Sequence, residues 1–302
     1  MPLENQIHID SLLSQVSVKY RNQSYVAMEL FPEVGVKKSS DLYRIYERDF
    51  RIPETLRSPK AVAKELNFYV STATYVLERH ALKDYVSDND ADNYDLADLR
   101  VETAENLTDK ILARLEKSLS SQMTTTSWSL NLSLTSTLAW NATTTVDPVG
   151  HFDTGSGLVV NNAGVRPNIA GMGLAAWYAL KNNGQILDRV KYTSQEVGEN
   201  IVAKLIGADK LVVSGQAEDT TAEGSSVGSV ITALWNDRVF WGYRPAAPGP
   251  LKASAGYIFR KAMPMVKRWR VEERESDAIE VNMEYSARIV ASLAGFIIAD
   301  VT

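Results

Sequence analysis

The amino-acid sequence predicts an α+β protein, and three observations carry the prediction. A charged yet strand-rich excursion, residues 37–65, interrupts the first part of the chain. A single long helix with one apolar stripe follows it. Beyond residue 147 helices and strands alternate, and strands return towards the C-terminus.

Residues 1–36 read as a polar arm with scattered apolar positions and with Pro32 and Gly35 near its end. The excursion after it holds eight basic and five acidic residues, so it does not repel itself as a tail of one sign would. Leu42, Tyr43, Ile45, Tyr46, Phe50 and Ile52 give it strand character, and Pro53 and Pro59 break any regular element. The pattern predicts a long hairpin-like arm, mobile in a free subunit because too few apolar side chains hold it to its own core. Residues 66–78 read as a strand with Phe68, Val70, Thr72, Thr74 and Val76 on one face.

The acidic stretch 87–98 leads into a helix predicted over 96–121, a rod of about 39 Å. Val101, Ala104, Leu107, Ile111, Leu115 and Leu119 form its stripe, while Asp92, Asp95 and Asp98 near its start and Arg114 and Lys117 near its end suit the helix dipole. Residues 122–146, rich in Ser and Thr around Trp128, Leu130, Leu132, Leu134, Leu138 and Trp140, predict strands of a half-buried sheet. In the 147–250 module, Asn168 is placed to cap a helix reaching Leu180, which Asn182-Asn183-Gly184 stops. Thr193 with Glu196 forms a capping-box pattern before a helix ended by Gly207. Residues 210–215 read as a buried strand, and 231–235 and 238–243 as a hairpin about Asn236-Asp237. After a linker over 247–256, strands are expected at 257–261, 266–271 and 278–286. The second and third enclose a charge-balanced hairpin, residues 267–277.

Composition excludes several functions. The net charge of −5 argues against tight nucleic-acid binding. Without cysteine there are no disulfides, thiolate metal sites or cysteine nucleophiles. The start of the chain lacks the pattern of a signal peptide, and no apolar run is long enough to cross a bilayer, so a soluble intracellular product is expected. Gly224-Ser225-Ser226-Val227-Gly228 matches a nucleophile elbow, but His8, His80 and His151 all precede its serine. Asp88, Asp90 and Asp92 start like a calcium loop, yet Asn93 and Leu99 stand where it needs glycine and glutamate. No catalytic, cofactor-binding or metal site is predicted.

The order of these pieces resembles the major capsid protein of tailed double-stranded DNA bacteriophages, with its Hong Kong 97-like fold. Local patterns are similar too. They are Tyr43 through Asp49-Phe50-Arg51 and Thr55 to Phe68 and Tyr75-Val76-Leu77-Glu78-Arg79; Arg166-Pro167-Asn168; Ala222-Glu223-Gly224; Leu234-Trp235-Asn236-Asp237; and Gly256-Tyr257-Ile258-Phe259. The resemblance implies an N-terminal arm (1–36), an extended loop (37–65), a peripheral domain (66–146, with its spine helix at 96–121), an axial domain (147–250) and a return to the peripheral domain (251–302). No long helical region precedes the arm, which implies a separate scaffolding protein or a precursor already trimmed.

Such a protein is structural and not an enzyme. It forms pentamers and hexamers of an icosahedral head shell around a double-stranded DNA genome, held without sequence specificity. Portal, scaffolding and decoration proteins are the implied partners, with no membrane and no cofactor. It belongs in the virion and is assembled in the host cytoplasm. On this reading Arg44, Arg48, Arg51 and Arg57 meet carboxylates of a neighbouring subunit while Tyr46 and Phe50 cover its apolar surface. In the charged hairpin, Arg268, Arg270 and Arg274 face Glu272, Glu273 or Glu275 of adjacent copies. Two alternatives stand beside it: an encapsulin-type bacterial compartment enclosing cargo enzymes, and an α+β enzyme with an unrecognised site.

Overall fold

The computed structural model describes residues 8–9, 25–46, 55–58, 62, 65, 70–93, 98–124, 128–142, 146–191, 197–221, 230–235, 237–249, 252–261 and 265–302. Along the chain these form β1 (His8–Ile9), the short helix α1 (Ala27–Leu30), β2 (Glu33–Gly35), β3 (Ser40–Tyr46) and β4 (Val70–Val76). β5 (Glu78–Ser87), α2 (Asp88–Asp92) and the long helix α3 (Leu99–Thr124) follow. Next come β6 (Asn131–Ser133), α4 (Pro148–Ala163), β7 (Ile169–Gly173), α5 (Leu174–Lys181), α6 (Gly184–Val190) and α7 (Glu199–Ile206). The remaining elements are strands: β8 (Lys210–Ser214), β9 (Ala217–Asp219), β10 (Ile231–Ala233) and β11 (Val239–Gly242), then β12 (Gly256–Arg260), β13 (Met265–Val271), β14 (Ser276–Ile289) and β15 (Gly295–Ala299).

Two sheets organise the molecule. The six-stranded sheet is built around β14, which pairs with β5 along one edge and with β13 and then β12 along the other. β1 extends it beyond β13 and β2 beyond β12. α3 lies on this sheet because its stripe is apolar on one side only: Ala104, Ile111, Leu115 and Leu119 are buried with Val86, Ile279, Val281 and Met283. Each fully buried valine, leucine, isoleucine or methionine among them stabilises by about 1.5–3 kcal/mol. The Asp98 carboxylate accepts the Arg100 N–H at 3.0 Å at the start of the helix. The helix has the expected length of 26 residues but lies three residues further along than expected.

The second sheet has the order β6-β15-β11-β7-β8. Its helices close a core of Phe152, Val159, Leu180, Ile206, Trp241 and Phe296. Asp147 caps α4 through the Val149 N–H at 3.2 Å, with Pro148 in the first turn. Gly207 ends α7 with φ of 73°, as its position predicts.

The structure corrects several expectations. Residues 70–87 form two strands, and on β4 the buried residue is Tyr75, while Thr72, Thr74 and Val76 face outwards. Tyr75 turns inwards because the Phe259 ring stacks on it at 4.6 Å. Between 128 and 142 only β6 is strand; the buried Trp128 and Trp140 are carried on irregular chain. Asn168 caps no helix, because residues 169–173 form the fully buried strand β7. Its side chain instead accepts the Arg244 N–H at 2.8 Å and donates to the Arg244 carbonyl at 2.9 Å. β10 and β11 form no hairpin with each other: β10 pairs with β9, and β11 lies between β7 and β15. The C-terminal strand β15 sits in the second sheet, not with the other strands of 251–302, because Phe296 and Ile298 complete that core. The capping pattern of Thr193 and Glu196 and the loop 224–228 lie outside the described residues.

Two glycines should respond in opposite directions. At Gly295 an added Cβ would lie 2.2 Å from the buried Trp128 ring. Gly295→Ala is therefore expected to cost about 1–3 kcal/mol by overpacking. Gly157 lies within α4 with nothing within 4 Å of its missing Cβ, so Gly157→Ala should stabilise by about 0.5–1 kcal/mol. Thermal melts of the two variants against the parent chain check both signs.

Candidate functional site

The extended excursion is a hairpin. β3 and β4 pair antiparallel over seven residues each, from Ser40 opposite Val76 to Tyr46 opposite Val70. Its second leg therefore reaches Val76, beyond the 37–65 span. The base is clamped to the six-stranded sheet: Tyr43 and Tyr75 both meet Phe259, at 5.4 and 4.6 Å between ring centroids, within a cluster completed by Val34, Tyr257 and Val290. The expectation that too few apolar side chains hold this arm is thus corrected for its base, where one tyrosine of each leg meets the same phenylalanine and alternate residues Ile45, Ala73 and Leu77 pack against the cluster. Arg44 and Tyr46 lie on β3 opposite Thr72 and Val70, and Arg57 is exposed. Arg48, Phe50 and Arg51 lie outside the described residues.

The second charged hairpin is present as expected, β13 joined to β14 by a 3-10 turn at Glu272–Arg274. Its arginines, however, are engaged within the subunit. Arg268 and Arg100 both donate to Asp277 Oδ2 at 2.8 Å, and Arg270 binds both oxygens of Asp88 at 2.5 Å. The reason lies in the register. Asp277 stands directly opposite Arg270 on the neighbouring strand, and the start of α3 brings Arg100 to it. Burial pushes the Asp277 carboxyl up, but the Arg100 and Arg268 guanidiniums outweigh it and hold the group below its ordinary range. Asp88 is lowered in the same way by Arg270, whose own value is raised. Arg274 lies over the Tyr85 ring at 4.5 Å, with Lys83 4.8 Å from the same ring. Glu272, Glu273 and Glu275 are exposed around the turn, and Glu275 takes a positive φ of 43° to close it.

One site was missed by sequence reasoning. Glu116 sits beside the apolar stripe of α3 and is wholly buried. Its Oε2 accepts the N–H groups of Val26 and Ala27 at 3.1 and 2.7 Å, at the start of α1. Its Oε1 accepts the Trp235 indole N–H at 2.7 Å and the Ser214 hydroxyl at 3.3 Å. Burial pushes its carboxyl up, and these hydrogen bonds only partly offset the effect. The signal was faint: a glutamate one position from a buried leucine, in a helix whose other acids are half-buried or exposed.

The other candidates have structural partners. His151 Nδ1 accepts the Trp140 indole N–H at 3.1 Å, and His80 stacks on Tyr285 at 4.3 Å. Burial lowers both histidines. Burial also pushes Tyr285 up to about 12, and its hydroxyl has no hydrogen-bond partner among the described residues. Asp88 and Asp90 lie in the first turn of α2, which Ser87 caps. Among the described residues no three His, Asp or Glu side chains could hold a metal ion together. A depression of about 450 Å³ beside Trp140, Tyr178, Asn182 and Thr302 has no charged lining residue. No helix among the described residues is long and apolar enough to cross a membrane.

No protein-family model matches the chain. It is 24% identical over 306 residues to the major capsid protein of Burkholderia phage BcepMu, covering 97% of this chain and 96% of that protein. Among solved structures, a phage-related protein from Bordetella bronchiseptica superposes with a TM-score of 0.79 at 21% identity over 98% of both chains. The capsid of cyanophage P-SCSP1u superposes with a TM-score of 0.64 at 11% identity, over 93% of this chain and 89% of that one. A sheet carrying one long helix, a projecting hairpin and a second α/β body thus define the class, a Hong Kong 97-like capsid fold. Within that class the chain is similar from end to end to the BcepMu major capsid protein.

The Asp277 cluster generates a prediction. Asp277→Ala leaves Arg100 and Arg268 without their shared carboxylate; as both guanidiniums are partly exposed, it is expected to cost about 1–3 kcal/mol. Because the folded value of Asp277 lies below its unfolded one, its contribution is present above about pH 4 and is lost as the pH falls below that. Denaturant melts at neutral and acid pH should show the gap between parent and variant closing on acidification.

Proposed function

We propose that this chain builds a closed icosahedral shell of pentamers and hexamers around double-stranded DNA, with the extended hairpin laid across a neighbouring subunit. The observation that carries the reading is the hairpin itself. It is clamped at its base by Tyr43, Tyr75 and Phe259, yet beyond β3 Leu56 and Val62 are 89% and 91% exposed. An anchored arm presenting apolar side chains to solvent is suited to an apolar surface on another copy. The mixed charges along it favour many weak contacts, each worth about 0.2–1 kcal/mol, which closed symmetry multiplies.

In this assignment the six-stranded sheet with α3 is the peripheral domain and the five-stranded sheet with its helices the axial domain. Arg44, Arg48, Arg51 and Arg57 serve the hairpin's contact with the neighbour, together with Tyr46 and Phe50. At the second hairpin, Glu272, Glu273, Arg274 and Glu275 remain the contact candidates, since Arg268 and Arg270 already hold Asp277 and Asp88. The chain carries no enzymatic activity in this reading. Its partners are further copies of itself, a portal, a scaffolding protein, a decoration protein and packaged DNA. Its place is the virion, after assembly in the host cytoplasm. The end-to-end likeness to a phage major capsid protein supports this over an encapsulin-type compartment.

Arg48→Glu combined with Arg51→Glu tests the reading. If these arginines serve the neighbour and not their own fold, the free subunit should melt within about 0.5 kcal/mol of the parent. Shell yield, followed by sedimentation and negative-stain microscopy, should fall steeply because every subunit repeats the defect. Normal shells from a strongly destabilised variant would refute the assignment of the arm.

A further inference from the structure

We propose that Glu116 is held as the neutral acid, and that its proton pins the root of the N-terminal arm into the joint between the two sheets. Complete burial, with no cation in contact among the described residues, supports a protonated group. All four hydrogen-bond partners of Glu116 are neutral: two backbone N–H groups, an indole N–H and a hydroxyl. No cation pairs with it among the described residues. A carboxylate would then be a buried charge without a counter-ion, which is among the costliest groups a core can contain. A carboxylic acid fits the same four contacts. Its carbonyl oxygen, Oε2, accepts from Val26 and Ala27. Its hydroxyl, on Oε1, accepts from Trp235, and the Ser214 bond, which runs from serine to a carboxylate, reverses in the acid so that Oε1 donates to Ser214 Oγ, since a serine hydroxyl can accept as well as donate.

The charged groups packed around the site are engaged with one another. From the arm root, Glu29 pairs with Lys210 at 2.6 Å, and its carbonyl accepts from Arg244. From α3, Lys117 pairs with Glu218 at 2.5 Å and Asp109 accepts the Tyr25 hydroxyl at 2.8 Å. Adjacent residues of one helix therefore hold different segments. Glu116 holds the root of the arm, β8 and Trp235, while Lys117 holds β9.

The direction of the pH effect follows. Burial raises the folded value of Glu116 above its unfolded one. Its contribution is then full at low pH and fades as the pH rises through the folded value. Losing the proton strands a charge at the joint, and the arm root loosens. The consequence is an exit point for the N-terminal arm that is firm in acid and looser towards alkaline pH.

Hydrogen exchange of the full-length free subunit tests this. Protection factors of the Val26 and Ala27 amides are expected to fall as the pH rises through the folded value of Glu116, above the ordinary glutamate range, by up to about tenfold per pH unit within the transition. The Val281 amide in the six-stranded sheet should stay flat. Glu116→Gln, which cannot titrate, should abolish the dependence. Ser214→Ala removes the acceptor of the acid's proton and should move the transition to lower pH. A flat profile in the parent chain, protection that rises with pH, a Glu116→Gln profile like the parent's, or a Ser214→Ala transition at higher pH would each overturn the proposal. If Glu116→Gln does not fold, the parent and Ser214→Ala profiles decide.

Discussion

The seating of residues 29–31 between the two sheets is the contact on which the rest of the molecule depends. Phe31 is fully buried, edge-on to Trp128 and Phe240 at 6.5 and 6.1 Å, and its ring occupies the space where Gly256 lacks a side chain. Leu30 fills the equivalent space over Gly171. Phe240 and Gly171 belong to the five-stranded sheet and Gly256 to the six-stranded one. One short segment thus closes both cores, and the first hydrophobic cluster runs without a break from Val281 through Phe31 to Ile169. At Gly171 and Gly256 the close approach, not backbone freedom, requires glycine: a Cβ would lie 2.5 and 2.2 Å from the packed side chains.

Two buried acids illustrate how surroundings decide the behaviour of one functional group. Asp277 and Glu116 are both removed from water, and burial pushes both carboxyls up. Two guanidiniums reverse the direction for Asp277, whereas hydrogen bonds from neutral donors are too weak to do so for Glu116. The first ties the start of the long helix to a β-hairpin by charge. The second ties the middle of that helix to the arm root with no cation in contact among the described residues.

Much of the architecture was legible in the sequence. The apolar stripe of α3 is a repeating signal over 26 residues, and the strands at 257–261, 266–271 and 278–286 alternate or run apolar as their burial requires. What escaped was decided by long-range contacts. β7 reads as a continuation of a helix, because its five residues are buried on both faces and show no period-two pattern. β10 and β11 look like a hairpin in the sequence, yet each finds a better partner far along the chain. Arg268 and Arg270 were legible as hairpin arginines. Their partner Asp277 needed only the register, while Arg100 needed the packing of the helix start. Glu116 left only a faint pattern, since a single glutamate in a helix is ordinarily solvated.

The clamped base of the β3–β4 hairpin also has a mechanical consequence. Beyond Tyr43 and Tyr75 the paired legs run on as a beam for three and five residues, about 10–17 Å, so a turn of about 10° at the clamp carries their ends through about 2–3 Å. The fulcrum is the Phe259 ring between Tyr43 and Tyr75, and Phe259 lies on β12, whose next strand is β14. A small tilt of that sheet is thereby magnified at the far end of the beam, the sheet acting as the short arm of a lever and the hairpin as the long one.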